Sequence, residues 1–112
     1  MNFYDKIHEL VKDLKDTPEY TNYMAVKAKI KEDEKLSEMI KSFKERQRQE
    51  QLKLINGTQM DESTKSELQQ QYSLIIQSPI AAEFFQAEIT LDVLLADMQK
   101  IIGEGLKDIV EF

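Results

Sequence analysis

Apolar residues recur along most of the chain three and four positions apart, which places them on one face of an α-helix. The first such stripe consists of Phe3, Ile7, Leu10, Val11 and Leu14. This stripe predicts a helix over residues 3–15. No segment alternates apolar and polar residues over the length of a strand, so the pattern predicts an all-α protein.

Two hydroxyl–proline pairs mark the starts of two further helices. Thr17 precedes Pro18, and Ser78 precedes Pro79. The hydroxyl accepts a hydrogen bond from the first N–H groups of a helix, and proline lacks the N–H group that would have no partner there. The first pair predicts a second helix, and the second pair predicts the longest helix, over residues 79–102.

Asp33 and the Asn56-Gly57 pair bound a third predicted helix over residues 34–55. Aspartate is a favoured N-cap, and Asn and Gly tolerate the left-handed backbone that closes a helix. The apolar face of this helix is strong as far as Phe43, after which the same register becomes polar. We therefore expect the helix to continue beyond Phe43 without being buried there.

Three overlapping capping signals leave the start of a fourth helix open. They are Asp61, Ser63 and a capping box over residues 64–67. Residues 103–105 contain two glycines, which are poor helix formers, so we expect the longest helix to end at Ile102. The residues that follow predict a short apolar tail element.

The apolar positions of the longest helix alternate in spacings of four and three, the pattern of a coiled-coil seam. The seam and the residues that widen it include Ile80, Phe84, Ala87, Leu91, Leu94, Leu95, Met98 and Ile101. It is wider than one neighbouring helix covers, and broad apolar surfaces commonly mark interfaces. These eight residues are the candidate oligomer interface, with a homodimer favoured.

The chain length of 112 residues suits one domain with a single core. The expected fold is a helical bundle of about five helices, two of them long, in a single domain over residues 1–112. The longest helix would span roughly 36 Å, which exceeds the diameter expected of so short a chain. We therefore expect oligomerisation to complete the bundle.

Charge and composition narrow the classes of partner. The net charge of -6 opposes binding to nucleic acid and to anionic lipid. The chain has no cysteine, which removes disulfides and thiolate metal ligands. No apolar run reaches the roughly 18 residues of a membrane span, and the N-terminal segment lacks the apolar core of a signal peptide. We expect a cytoplasmic protein without membrane insertion.

Residues able to carry catalysis are few and scattered. His8 is the only histidine, so a transition-metal site would need carboxylates for its other ligands. Glu88, Asp92 and Asp97 lie on the longest helix, but acid–base catalysis requires environments that separate their pKa values. The sequence indicates no such environments. We therefore assign no catalytic residue, cofactor or metal site.

The third helix carries a polar and partly basic stretch. Its candidate partner face consists of Lys44, Arg46, Gln47, Arg48 and Gln51. The same stretch fits a helix face that is merely solvated, and both interpretations remain open. Binding of nucleic acid there is disfavoured, because glutamates interrupt the positive charge and no aromatic side chain is placed to stack on bases.

Four segments spread over nearly the whole chain form a recognisable pattern. They are Asn2-Phe3-Tyr4-Asp5, Pro18-Glu19-Tyr20, Phe43 and Gln47 in a Gln/Lys-rich run ending at Gly57, and Ala87-Glu88 leading to Lys100-Ile101-Ile102. This pattern resembles the YlbF/YmcA family of small helical bacterial proteins, and most of all its YheA subgroup. Ile89 stands where that pattern usually has glutamine, and Gly105 stands where proline is common.

The resemblance implies an adaptor rather than an enzyme. Some members of the family join a YaaT-like partner and modulate a membrane-associated ribonuclease, and through it competence, sporulation and biofilm formation. Some of those assemblies hold iron–sulfur clusters through cysteine, which this chain lacks. We expect a protein–protein adaptor that contacts itself and components of a ribonuclease-associated complex. The alternatives are a direct RNA-binding accessory protein and a small enzyme with a carboxylate site.

Overall fold

The computed structural model describes residues 2–112, and these residues form six α-helices. The helices are α1 (Phe3–Lys15), α2 (Pro18–Lys31), α3 (Glu34–Ile55), α4 (Glu62–Ile75), α5 (Pro79–Gly105) and α6 (Lys107–Val110). No strand occurs within this range, so the all-α fold class is confirmed. The short helix α6 occupies the predicted tail element.

Side-chain caps start α2 and α3 where the sequence predicts. The hydroxyl of Thr17 accepts a hydrogen bond from the backbone N–H of Tyr20 at 3.2 Å. The carboxylate of Asp33 accepts one from the backbone N–H of Leu36 at 3.1 Å. Each cap satisfies a backbone donor that has no partner within its helix.

Of the three capping signals, Asp61 is the one that starts α4. Its carboxylate accepts a hydrogen bond from the backbone N–H of Thr64 at 2.7 Å. Ser63 and residues 64–67 therefore lie inside the helix. Because the carboxylate accepts this hydrogen bond in its charged form, the pKa of Asp61 lies below its ordinary value.

α3 ends at the Asn56-Gly57 pair, as predicted. Gly57 has a φ of 89°, in the left-handed region that glycine enters without steric penalty. The backbone N–H of Thr58 then donates a hydrogen bond to the carbonyl of Lys53 at 2.9 Å. This bond closes the last turn of the helix.

The prediction that the longest helix ends at Ile102 is wrong. α5 continues through Gly103 as far as Gly105. A glycine inside a helix costs about 1 kcal/mol relative to alanine, but each residue added to an existing helix gains a backbone hydrogen bond. A helix of 27 residues is therefore not stopped by one glycine. The chain leaves α5 where the N–H of Leu106 bonds to the carbonyl of Ile102 at 3.1 Å.

The chain divides into two compact units, and the division falls inside α2 and inside α5. Unit 1 comprises the described residues up to Val26 together with Phe84–Phe112. Unit 2 comprises Lys27–Glu83. The single domain expected from the chain length stays a prediction.

Unit 2 contains a helical hairpin in which α3 packs against α4. The rings of Phe43 on α3 and Tyr72 on α4 lie 5.7 Å apart between centroids, within the range of favourable aromatic contact. The buried apolar side chains of this unit are those of Ile30, Leu36, Ile40, Phe43, Leu68, Ile75 and Ala81.

Unit 1 has its core on α2 and the first half of its α5 segment. The buried apolar side chains are those of Val26, Phe84, Phe85, Ala87 and Leu91. The ring centroids of Tyr23 and Phe84 lie 5.4 Å apart. Although α1 carries a regular apolar stripe, it contributes no buried residue to this core.

Candidate interaction surfaces

Unit 1 exposes a group of large apolar side chains on α1 and at the end of α5. This group, which we call the α1–α5 face, consists of Phe3, Tyr4, Ile7, Leu10, Val11, Ile101 and Ile102. Phe3 is 72% exposed and Ile101 is 71% exposed. Side chains of this size are usually much more buried in a folded chain. The α1–α5 face is therefore a candidate interface.

A cavity of about 350 Å³ lies between α1 and the last turns of α5. Its lining residues are Leu10, Asp13, Leu14, Thr17, Leu94, Met98, Ile101 and Ile102. The walls are almost entirely apolar, so water inside it finds few hydrogen-bond partners. An apolar side chain that displaces this water gains free energy, so the cavity is a candidate site for an apolar group.

The structure divides the eight residues of the predicted oligomer interface into covered and uncovered positions. Phe84, Ala87 and Leu91 are buried within the chain itself. Most of the surface that remains accessible lies toward the end of α5. Ile101 is exposed, and the half-buried positions are Ile80, Leu94, Leu95 and Met98.

The prediction from the sequence placed the candidate interface on the longest helix alone, and the exposed α1–α5 face adds α1 to the candidate. The signal was present, because the stripe of α1 is apolar and regular while its other face is charged. Such a stripe shows that a helix needs a covering surface, but it does not show whether that surface belongs to the same chain. Only the exposure of Phe3 and Tyr4 identifies α1 as part of the candidate interface.

Tyr23 lies beside Phe84 in unit 1 and has a perturbed hydroxyl group. Burial raises the pKa of Tyr23, and the negative charges of Glu88 and Asp92 raise it further. Both effects disfavour the phenolate, so Tyr23 stays neutral over a wider pH range than a free tyrosine. Tyr23 therefore packs its ring against Phe84 and keeps a neutral hydroxyl group.

The candidate partner face on α3 has most of its charge compensated. Arg46 forms an ion pair with Glu67 of α4. Arg48 forms one with Glu45, at 2.6 Å between side-chain atoms. Both pairs are solvent-exposed and contribute little to stability. They also leave little unpaired positive charge to attract the phosphates of RNA.

One further member of the partner face, Gln47, lines a second cavity. This cavity, of about 570 Å³, lies on the α3–α4 hairpin, and its lining residues are Phe43, Gln47, Met60, Lys65, Leu68, Gln69, Tyr72 and Ser73. Gln47 thus joins the partner face to the cavity. Gln51 is exposed, and Lys44 is half-buried. The arrangement offers apolar walls with amide and ammonium groups at the edge, which suits an amphipathic segment of a protein.

Glu50 contradicts the expectation that α3 is not buried beyond Phe43. It is only 9% exposed, although every residue from 51 to 61 is exposed. The ammonium of Lys53, one turn further along the helix, lies 3.3 Å from its carboxylate. This contact supplies the opposite charge that a buried carboxylate requires.

The residues first considered for catalysis lie on α1 and α5. His8 is exposed on α1, and Asp97 is exposed on α5. Among residues 2–112, no group of three or more His, Cys, Asp or Glu residues is arranged to hold a metal ion. Over the same range, no helix has both the length and the apolar character needed to cross a bilayer.

These features define a small all-α protein whose distinctive surfaces are helix faces. The chain belongs to the YlbF/YmcA family. The model of that family, described as Control of competence regulator ComK, YlbF/YmcA, matches residues 3–107. The resemblance inferred from the sequence is thereby confirmed.

Relatives from several bacteria align over nearly the whole chain. A UPF0342 protein of Caldicellulosiruptor saccharolyticus is 38% identical over 109 residues, which cover 96% of this chain and 91% of the relative. A UPF0342 protein of Symbiobacterium thermophilum is 34% identical, with 92% of each chain covered. A UPF0342 protein of Clostridium tetani is 32% identical, with 95% of this chain and 91% of the relative covered.

Proposed function

We propose that this protein is a non-enzymatic helical adaptor that acts by binding other proteins and works as a homodimer. Membership of a family described by control of the competence regulator ComK supports a regulatory role. The resemblance to members that modulate a ribonuclease extends the proposal to components of a ribonuclease-associated complex. The chemistry required is recognition of one helix by another rather than turnover of a substrate.

The observation that carries this proposal is the exposed α1–α5 face. Removing apolar surface from water is favourable by about 25 cal/mol per Å². A face that keeps aromatic and aliphatic side chains in contact with water is therefore stabilised by any partner that covers it. Phe3, Tyr4 and Ile101, each at least 70% exposed, contribute most to this effect.

A dimeric adaptor needs a second surface for its other partners, and the partner face on α3 is suited to this role. Gln47 and Gln51 present amides to solvent without being needed for the core. The neighbouring cavity on the α3–α4 hairpin adds apolar walls that include Phe43 and Tyr72. Polar rims around apolar pockets are the usual anatomy of a non-obligate protein interface.

Affinity capture with a variant of the partner face tests the proposal. A tagged chain carrying Arg46→Ala, Arg48→Ala and Gln51→Ala should fold with a free energy of unfolding within about 1 kcal/mol of the wild type. Arg48 and Gln51 are exposed, and the ion pair of Arg46 is solvent-exposed and contributes little to stability. This variant should nevertheless lose ribonuclease-associated proteins that the wild type retains from extracts of its own bacterium. Quantitative mass spectrometry of the eluates measures the loss.

A matched control carries Lys29→Ala, Lys31→Ala and Gln70→Ala, which also removes two cations and one amide from exposed positions. This control should retain the captured proteins. Equal retention by both variants would place the binding surface elsewhere. A wild type that captures no specific protein would contradict the adaptor function itself.

Direct RNA binding is the competing function, and it makes a different prediction. Binding through phosphates should weaken steeply between low and high salt. The ion pairs of Arg46 and Arg48 oppose this function, because those guanidinium groups already have carboxylate partners. Titration of a fluorescent single-stranded RNA at two salt concentrations distinguishes the two functions.

A further inference from the structure

The apolar stripe of α1 is bordered by a defined arrangement of charges. Its central positions alternate in spacings of four and three, as in a coiled coil; they are Phe3, Ile7, Leu10 and Leu14. Lys6 and Asp13 occupy equivalent places along one border of the stripe, one near each end of the helix. Tyr4 and Val11 occupy the equivalent places along the other border.

The two bordering charges, on Lys6 and Asp13, form no ion pair among the described residues. Both Lys6 and Asp13 are exposed. Within residues 2–112, no ion pair joins either side chain to another residue. Two opposite charges that flank a partly exposed stripe can therefore determine which helix packs on it and in which direction.

A second copy of α1 that lies antiparallel on the first provides partners for the residues on both borders of the stripe. In that arrangement Lys6 of one copy faces Asp13 of the other, and by two-fold symmetry the same pair forms a second time. Along the opposite border, Tyr4 faces Val11 and buries further apolar surface. A parallel arrangement instead sets Lys6 beside Val11 and leaves both charges without a partner.

The exposed area of the α1–α5 face is what a stable dimer needs. A fully exposed large apolar residue presents on the order of 150–250 Å², so the exposed fractions of the seven residues amount to roughly 600–900 Å². The largest apolar patch of an ordinary monomer is about 300–600 Å², whereas a standard interface buries about 800 Å² of each partner. The area of the face therefore fits an interface better than a monomer surface.

We propose that the occupant of the α1–α5 face is a second copy of this chain, with the two α1 helices antiparallel and held in register by two Lys6–Asp13 ion pairs. This inference rests on the homodimer of the proposed function and adds its interface, direction and register. Side chains of the second α1 lie over the apolar cavity beside Leu14 and Met98.

Exchange of the two charges tests the pairing. Lys6→Asp and Asp13→Lys each set like charges against each other twice in a homodimer, which should raise the dimer dissociation constant roughly tenfold or more. An equimolar mixture of the two variants sets unlike charges together at both places. The mixture should therefore form mixed dimers, and the doubly exchanged chain should recover the wild-type dissociation constant.

Analytical ultracentrifugation at low salt measures the dissociation constants, and native mass spectrometry of the mixture measures the mixed dimers. Lys12→Asp is the matched control, because it makes the same charge change at an exposed position away from the stripe. It should leave the dissociation constant within about twofold of the wild type. Circular dichroism melting confirms that every variant is folded.

The outcomes separate this inference from the function on which it rests. A wild type that stays monomeric at high concentration would overturn both the dimer and its interface. A wild type that dimerises while the exchanged charges have no effect, or while the mixture shows no preference for mixed dimers, would overturn the antiparallel pairing alone. Recovery in the mixture and in the doubly exchanged chain would establish it.

Discussion

Ile55 and Ile75 each end a helix of the α3–α4 hairpin, but their surroundings are opposite. Ile75 is 1% exposed, and Ile55 is 80% exposed. Truncation of a buried isoleucine loses its transfer free energy and leaves a cavity, whereas truncation at the surface loses little. The two positions therefore form a matched pair for measuring the strength of the core of unit 2.

Ile75→Ala is expected to lower the free energy of unfolding by about 2–5 kcal/mol. Ile55→Ala is expected to change it by no more than about 0.5 kcal/mol. Urea denaturation followed by circular dichroism measures both values. Similar losses in the two variants would show that the end of α3 is packed in solution.

Tyr23 makes the free energy of unfolding depend on pH in the alkaline range. Its folded-state pKa is raised above the ordinary value of 10.0 by burial and by the charges of Glu88 and Asp92. The unfolded chain therefore loses the phenolic proton first. The contribution of Tyr23 to the free energy of unfolding is complete below pH 10.0 and is lost as the pH rises through the folded-state pKa of Tyr23.

Tyr23→Phe removes the ionising group and should reduce the fall in melting temperature between about pH 8 and about pH 11. Tyr20→Phe, which removes the same hydroxyl group one turn earlier in α2, is the control. Thermal melting at several pH values makes the comparison. Parallel curves for the wild type and Tyr23→Phe would refute the linkage.

At the scale of elements, two of the three glycines near the ends of long helices have different roles. Gly57 closes α3 with a left-handed φ of 89°. Gly103 lies inside α5, and a Cβ built there meets no atom within 4 Å. The first glycine is required by its backbone conformation, while the second only lowers the helix propensity of the end of α5.

Gly103→Ala should therefore raise the free energy of unfolding by about 0.5–1 kcal/mol, because alanine restricts the unfolded chain and suits a helix. Gly57→Ala should lower it by about 1–2 kcal/mol, because an L-residue pays the steric penalty of the left-handed region. Chemical denaturation of the two variants gives the sign of each change in the free energy of unfolding. Destabilisation by Gly103→Ala would show that α5 breaks there after all.

At the scale of the whole molecule, α5 carries two kinds of apolar position along one seam. Leu91 is buried in unit 1 at 9% exposure, and Ile101 lies on the α1–α5 face. Burial of an unpaired carboxylate is costly in a core but not at a surface. The same substitution at the two positions therefore distinguishes folding from association.

Leu91→Asp is expected to lower the free energy of unfolding by at least about 3 kcal/mol. Ile101→Asp should change it by less than about 1 kcal/mol and weaken self-association. Circular dichroism melting and light scattering measure the two effects separately. An Ile101→Asp chain that associates as strongly as the wild type would exclude the end of α5 from the interface.

The positions of the helices were predictable because capping chemistry is local. Thr17, Asp33 and Asp61 each bond to a backbone N–H group three residues further along the chain, so their effect is visible in a short window of sequence. Where local signals competed, prediction was weaker. The capping signals near Asp61 left three choices, and Gly103 was given too much weight against the hydrogen bonds of an existing helix.

The candidate surfaces were predictable only in part. The register identified every apolar position of the seam in α5, yet Phe84 and Leu91 are covered by the chain and Ile101 is not. The polar register of α3 suggested that Glu50 is exposed, but it is buried beside Lys53. Neither outcome follows from spacing along one helix, because burial depends on the fold as a whole.

The sequence by itself determined the all-α class, most of the helix boundaries and the apolar stripe of each helix. These properties depend on hydrogen bonds and side-chain contacts within a few residues. The tertiary structure alone decided which stripes are covered: Phe84 lies in the core of unit 1, whereas α1 has no buried residue. Burial depends on residues far apart in the chain, so a periodic stripe predicts that a helix must pack without specifying what it packs against.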